Sequence, residues 1–135
     1  MPPHNHNRII KTILHRLPDV QAVYRFGSWE TQYERSDSDI DLAILPIAPR
    51  SSMERWELAQ ELASALNRDV DLVDLLQAST VMRAQVIAHG DRLYCCDETV
   101  CATFEVYVFS AYARLNEERS AILDRIHHRG RVYGG

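Results

Sequence analysis

The sequence lacks several features that would place it in a common class of protein. Its 135 residues contain a single lysine, Lys11, and no GxxxxGK[ST] motif, which excludes a P-loop nucleotide site. No apolar run approaches the roughly 20 residues that a transmembrane helix needs, and the first residues do not have the pattern of a secretory signal. We therefore expect no membrane insertion and no secretion, and a cytoplasmic location.

Cysteine is scarce and positive charge is not in excess. Cys95, Cys96 and Cys101 are odd in number and lack the spacing of metal ligands, so we interpret them as reduced thiols. Nineteen acidic residues outnumber fifteen basic ones and give a net charge of -4. Such a chain has no general attraction for nucleic-acid phosphates, and direct nucleic-acid binding is disfavoured.

Apolar residues recur at helical and strand spacing in alternating stretches of the chain. Helices are predicted over about 7–17 and 53–67, between Ser79 and Gly90, and over about 99–127; strands are predicted over 20–26, 40–45, 69–75 and 92–96. This alternation indicates an α+β (α/β-like) fold, a sheet with helices on at least one face. We expect a single domain over 1–135, with a core over about 7–96.

The first candidate site residues are Gly27 and Ser28. Gly27 is the only glycine in the first 89 residues and directly follows the predicted strand 20–26. Glycine permits a sharp turn and the close approach of a ligand, and Ser28 offers a hydroxyl and amide donors, which suits a phosphate. A plain turn is the competing interpretation of this pair.

Acidic side chains interrupt two apolar strands. Asp39 and Asp41 lie two residues apart at the start of the strand 40–45, so they project from one face about 6.5 to 7 Å apart. Adjacent carboxylates repel unless a cation lies between them, and Mg²⁺ prefers oxygen ligands. In the next strand we choose Asp71 as a third ligand, since Asp69 lies at the strand's edge and Asp74 falls on the other face.

The motif Gly27-Ser28, ten residues, then Asp39-Ile40-Asp41 resembles the GSx10DxD signature of the DNA polymerase β-like nucleotidyltransferases, with Asp71 at its third acidic position. The phrases FGSWETQYERSDSDIDLAIL, ERWELAQELASAL and DVDLVDL resemble the minimal nucleotidyltransferase (MNT) antitoxins of HEPN/MNT toxin–antitoxin modules. The likeness extends over about 7–95. Gln32 stands where the family often has glycine, and Glu30 where a small residue is common.

The resemblance implies a nucleotidyltransferase fold, with a small mixed sheet flanked by helices and a long C-terminal helix. It also implies an antitoxin of a type VII-like system, which moves AMP from ATP to a tyrosine of the cognate HEPN ribonuclease toxin and releases pyrophosphate. Asp39, Asp41 and Asp71 would hold two Mg²⁺ ions, and Gly27 and Ser28 would hold the β- and γ-phosphates of ATP.

Two other functions remain open at this point. The chain is either a catalytically idle antitoxin that acts by binding alone or a nucleotidyltransferase for a small, aminoglycoside-like molecule. The apolar stripe along the last predicted helix also has two interpretations, because it either covers the sheet or contacts a partner protein. The members of that stripe are Phe104, Tyr107, Val108, Ala111, Leu115, Ile122 and Ile126.

Overall fold

A computed structural model describes the backbone of residues 3–27 and 39–133, and the side chains of 6–27 and 39–127. Its elements follow the predicted order, with small shifts of their ends. They are α1 (Pro3–Arg16), β1 (Ala22–Phe26), β2 (Ile40–Leu45), α2 (Ser52–Leu66), β3 (Val70–Asp74), α3 (Thr80–His89), β4 (Asp91–Cys95) and α4 (Glu98–Tyr133). No helix in these ranges is long and apolar enough to cross a membrane.

The four strands form one mixed sheet in the order β3-β2-β1-β4. β1 pairs with β2 and β4 in antiparallel fashion, whereas β2 and β3 are parallel. Parallel neighbours need a crossover connection, and α2 supplies it. The expected α+β fold with a small mixed sheet, flanking helices and a long C-terminal helix is confirmed.

The sheet separates two apolar clusters because successive side chains point to opposite faces. On one face, α1 and α2 cover Val23, Ile40, Leu42 and Ile44. On the other face, Ala22, Tyr24, Ala43 and Leu45 pack with Val86 of α3 and Cys101 of α4.

Capping side chains fix the ends of the helices between the strands. Ser51 accepts a hydrogen bond from the backbone N–H of Glu54, and the Glu54 side chain accepts one from the Ser51 N–H, forming a capping box. α2 ends at Asn67, whose φ of 55° is the left-handed conformation common after a helix. Ser79 caps α3 by accepting a hydrogen bond from the backbone N–H of Met82, without the reciprocal bond of a capping box.

The structure brings two of the three cysteines together. Cys95 at the end of β4 and Cys101 near the start of α4 are paired in position to form a disulfide, and Cys96 is exposed and free. The short connection between β4 and α4 reverses the chain, so two residues six apart come together. An odd cysteine count does not reveal such a local pairing.

The structure decides between the two alternatives for the first half of α4. Val108 is buried and Phe104 packs on the cluster around Tyr24, so the first half covers the sheet. Residues 116–127 are exposed on every side.

Candidate functional site

The acidic residues of β2 and β3 meet on one face of the sheet. α3 and α4 cover the same face nearer the end of β2. Asp41 pairs in register with Asp71 across the parallel strands, and with Phe26 of β1 on its other side. Neighbouring strands lie about 4.8 Å apart, so the two carboxylates are adjacent on one face. Asp39 precedes β2 by one residue and is exposed, like Asp71, while Asp41 is half-buried.

The electrostatics of Asp41 reflect its burial beside two other carboxylates. Burial raises the pKa of Asp41 above its ordinary value, and the negative charges of Asp71 and Asp39 raise it further. A hydrogen bond between the Asp41 and Asp71 carboxyls acts in the same direction, since one carboxyl must carry a proton to donate it. The cluster therefore favours positive charge, either as a proton or as a cation.

Gly27 ends β1 beside this cluster and has a positive φ of 88°. A Cβ at this position would collide with the Asp41 carboxylate. A side chain at this position is therefore disfavoured on two independent grounds, backbone conformation and contact. Ser28, predicted beside Gly27 as a phosphate ligand, lies outside the described residues, as do Glu30 and Gln32.

Magnesium suits the chemistry of the acidic cluster, although the cluster is not assembled as a finished metal site. Within the described residues, no three acidic, histidine or cysteine side chains are grouped closely enough to hold a metal ion. Asp39, Asp41 and Asp71 nevertheless supply only carboxylate oxygens, the donors that Mg²⁺ prefers. Their mutual repulsion at Asp41 is the condition that a divalent cation relieves.

Asp69 and Asp74, the other two acidic residues of this segment, are placed differently from Asp71. Asp69 is exposed, and its backbone carbonyl accepts a hydrogen bond from the Ile40 N–H. Asp74 is buried, at 1% exposure, on the opposite face of β3. Its carboxylate accepts hydrogen bonds from the N–H groups of Arg50 and Leu76 and from the Gln77 side chain. Asp74 thus fixes the loop before α2 and is fully occupied by that role.

A second polar network lies on the same face of the sheet and was not anticipated from the sequence. The buried Tyr24 hydroxyl donates a hydrogen bond of 2.8 Å to Glu105 of α4. Arg92 of β4, opposite Tyr24, contacts Glu105 and also Glu98. The network ties α4 to β1 and β4. Tyr24 and Glu105 are 81 residues apart, and no local pattern signals their contact.

The acidic cluster opens towards one edge of the sheet. β3, which carries Asp71, is an edge strand, and Asp71 is exposed there. A groove of about 850 Å³, lined in part by Lys11, His15 and Gln60, lies between α1 and α2, on the other face of the sheet. Asp71 is therefore open to solvent at this edge of the sheet.

Comparisons with known proteins show which family this chain resembles. The family model described as polymerase beta, nucleotidyltransferase matches residues 8–99. The chain is 43% identical over 122 residues to the protein adenylyltransferase MntA of Shewanella oneidensis, an overlap that covers 90% of this chain and 87% of that protein.

Solved structures extend the likeness to the whole architecture. A crystal structure of a toxin–antitoxin with AMP-PNP contains a chain 44% identical to this one, with a TM-score of 0.80, covering 90% of this chain and 98% of that one. A structure of the tri-AMPylated Shewanella oneidensis HEPN toxin in complex with MNT antitoxin contains a chain 43% identical, with a TM-score of 0.78, covering 93% and 98%.

Proposed function

The chain belongs to the polymerase β nucleotidyltransferase family, and from that membership we propose that it is an Mg²⁺-dependent protein adenylyltransferase and antitoxin. Its reaction moves AMP from ATP to a tyrosine of a cognate HEPN ribonuclease toxin and releases pyrophosphate, which silences the toxin. Relatives of this identity include a protein adenylyltransferase and a chain found with a tri-AMPylated HEPN toxin.

The proposal is carried by the cluster around Asp41. Asp71 is paired with it on the neighbouring strand, the charge of Asp39 acts on it, and Gly27 contacts its carboxylate. A carboxylate with a raised pKa among like charges is costly in a purely structural role, because the repulsion opposes folding. Functional sites are where such clusters persist. Asp74 provides the contrast, since its buried carboxylate is satisfied by hydrogen bonds and serves the fold.

We assign the binding roles by position. Gly27 and Ser28 hold the β- and γ-phosphates of ATP, because Gly27 lies directly against the Asp41 carboxylate and a backbone without a side chain suits the close approach of a phosphate. Asp39, Asp41 and Asp71 would together hold the two Mg²⁺ ions through their carboxylate oxygens. When bound, Mg²⁺ neutralises the carboxylates and the phosphate oxygens, so that charge developing on the α-phosphate is stabilised.

Asp71 faces the incoming acceptor. Because Asp71 is exposed on the edge strand β3, we assign to it the contact with the acceptor hydroxyl. The hydroxyl oxygen attacks the α-phosphorus in line, its bond to phosphorus forms as the bond to the β-phosphate oxygen breaks, and Asp71 takes the hydroxyl proton. The products are a tyrosine–AMP ester on the toxin and pyrophosphate.

The direct test combines the purified chain, Mg²⁺, ATP labelled at the α-phosphate and the HEPN protein encoded beside it. We expect label on a tyrosine of the HEPN protein and loss of its ribonuclease activity. Asp39→Asn and Asp41→Asn should each lower the transfer rate on the order of a thousandfold, because loss of one metal ligand raises the activation free energy by several kcal/mol. Asp69→Asn is the matched control: it removes an exposed charge two residues from Asp71 and should transfer normally.

The same assay separates the two alternative functions. Silencing of the toxin without transfer of label would identify an idle antitoxin that acts by binding. Label on an aminoglycoside-like alcohol and none on the HEPN protein would identify a small-molecule enzyme. Either result contradicts the proposal.

We also propose that the protein works in the cytoplasm, because its reaction consumes ATP and silences a ribonuclease. Disulfides are rare in that compartment, which gives the Cys95–Cys101 pair diagnostic value. Alkylation of thiols in rapidly acid-quenched cells should find both cysteines reduced. A pair that is fully oxidised in growing cells contradicts a cytoplasmic location.

A further inference from the structure

Two cysteines from different elements face each other where β4 leads into α4. The Cα atoms of Cys95 and Cys101 are 6.5 Å apart, within the range of about 4.4 to 6.8 Å that a disulfide spans. Both side chains pack in the apolar cluster that contains Ala22 and Tyr24, and Cys101 is fully buried there. The sheet and the core thus fix both residues, and a bond between them requires no rearrangement of the backbone.

The reduced form of the pair fits the same arrangement. The Cys101 Sγ lies 3.7 Å from the carbonyl oxygen of Gln21, to which a thiol at this position donates its proton. The backbone N–H of Cys96 donates to the same carbonyl and keeps the end of β4 against the residue before β1. A free cysteine in an apolar core is also ordinary, because it packs as a small apolar side chain. Both redox states are therefore compatible with one backbone, as a reversible couple requires.

The three cysteines differ in their exposure and direction. Cys95 is half-buried and offers part of its surface to solvent, whereas Cys101 is closed to it. Cys96 is exposed, but it follows Cys95 directly, and successive side chains along a strand point to opposite faces. A small disulfide from solution can therefore react at Cys95 or Cys96, but Cys101 lies beside Cys95 alone.

We propose that Cys95 and Cys101 form a thiol–disulfide exchange site for low-molecular-weight disulfides of the glutathione class. The Cys95 thiolate attacks one sulfur of the small disulfide, whose S–S bond breaks, and one small thiolate leaves and takes up the proton that Cys95 released. The Cys101 thiolate then attacks the Cys95 sulfur, the Cys95–Cys101 bond forms, and the second small thiolate leaves with the proton of Cys101. Two cysteine thiols are oxidised, and one small disulfide is reduced to two thiols.

Oxidation fastens the start of α4 to the sheet. Cys101 lies in the first turn of α4, and Cys95 pairs in register with Ala22 at the start of β1. Gly27 and the acidic cluster lie beyond the other end of β1, so the exchange is separate from the AMP-transfer reaction. Cytoplasmic disulfides are usually transient and redox-sensing. The pair therefore stays reduced in growing cells and closes when the oxidised share of the small thiols rises.

Glutathione buffers with graded ratios of the reduced to the oxidised form test the site on the purified full chain. After acid quenching and alkylation, peptide mass spectrometry should find a Cys95–Cys101 bond that increases with oxidised glutathione and disappears in excess reduced glutathione. The oxidised chain should have a Tm roughly 5 to 10 °C above that of the reduced chain, because the bond closes a short loop in the unfolded state.

Single substitutions separate the steps of the exchange. Cys101→Ala should leave glutathione on Cys95 as a stable mixed disulfide, and oxidation should no longer raise the Tm. Cys95→Ser should leave Cys101 unmodified, because the buried thiol is closed to solvent. Cys96→Ser is the matched control, since it removes the exposed neighbouring thiol and should form the Cys95–Cys101 bond like wild type.

A wild-type chain whose two thiols stay unpaired at every glutathione ratio overturns the proposal. So does a bond that excess reduced glutathione leaves closed, which identifies a permanent structural disulfide, and so does a bond that joins Cys96 to either partner. An oxidised chain that melts at the temperature of the reduced chain contradicts the fastening of α4. None of these measurements involves ATP or a toxin, so their outcome is independent of the test of AMP transfer.

Discussion

Replacing Asp41 by asparagine should move stability and activity in opposite directions. The substitution keeps the size of the side chain and removes one of three neighbouring negative charges. Two unit charges about 5 Å apart repel by about 3 kcal/mol at an effective dielectric constant of about 20, and by less than about 1 kcal/mol in water. Because Asp71 and Asp39 are exposed, screening brings the gain in the free energy of unfolding towards about 1 kcal/mol. For a chain of this size that corresponds to a rise in Tm of about 3 to 5 °C.

The gain in unfolding free energy of the Asp41→Asn variant should increase as the pH rises. The folded protein raises the pKa of Asp41, so it favours the protonated carboxyl. The wild type therefore suffers no charge penalty below the unfolded pKa of about 3.9, and the full penalty once the pH exceeds the raised folded value. The difference in unfolding free energy between Asp41→Asn and wild type should grow from near zero at low pH to its full value at pH 7.

With Mg²⁺ and ATP present, the wild type should become more stable than the Asp41→Asn variant. A ligand that binds only the folded state at a hundred times its Kd adds about 2.7 kcal/mol to stability, and the variant should lose most of this gain. Urea unfolding from pH 3.5 to 8, with and without Mg²⁺ and ATP, measures all three effects, with Asp69→Asn as the control. A variant that is less stable than wild type at pH 7, or a difference that does not change with pH, refutes the argument of electrostatic repulsion.

Three further substitutions test other parts of the structure. Gly27→Ala should lower the unfolding free energy by about 1 to 2 kcal/mol because of the positive φ at this position. Contact with the Asp41 carboxylate should add a steric cost, which disappears in an Asp41→Ala background. Equal costs in both backgrounds, measured by denaturant unfolding in a double-mutant cycle, would rule out the contact. Asp74→Ala should cost about 3 kcal/mol or more, because three donors lose their acceptor, and a Tm within 2 °C of wild type would contradict that count. Tyr24→Phe should cost about 1 kcal/mol and leave AMP transfer intact, and a greatly slowed transfer would show that its hydroxyl does more than tie Glu105 to the sheet.

Much of the fold follows from local signals that the sequence contains. The strand Ile40–Leu45 was predicted with its actual ends, because β-branched and apolar residues run unbroken except at Asp41 and stop at Pro46. The ends of α2 and α3 were predictable within one or two residues from Ser51 and Ser79, whose side chains make the expected caps. Alternation along β3 also separated Asp71 from Asp74 correctly.

Long-range contacts were beyond the reach of the sequence pattern. The approach of Gly27 to Asp41 depends on the antiparallel pairing of β1 with β2, so the reason for the glycine appears only in three dimensions. The bond from Tyr24 to Glu105 joins residues with no periodic relation. The Cys95–Cys101 pair depends on the direction of the turn between β4 and α4, which composition does not specify.

The crossover through α2 makes a helix on the opposite face a determinant of the chemistry. β2 and β3 are not joined by a hairpin, so their alignment is maintained by how α2 seats Leu58 and Leu62 against the sheet. A slip of one residue would turn Asp71 away from Asp41, leaving every strand intact and the site dismantled. Repacking beneath α2 is thus a means of tuning, or losing, enzymatic competence without altering any group that touches a substrate.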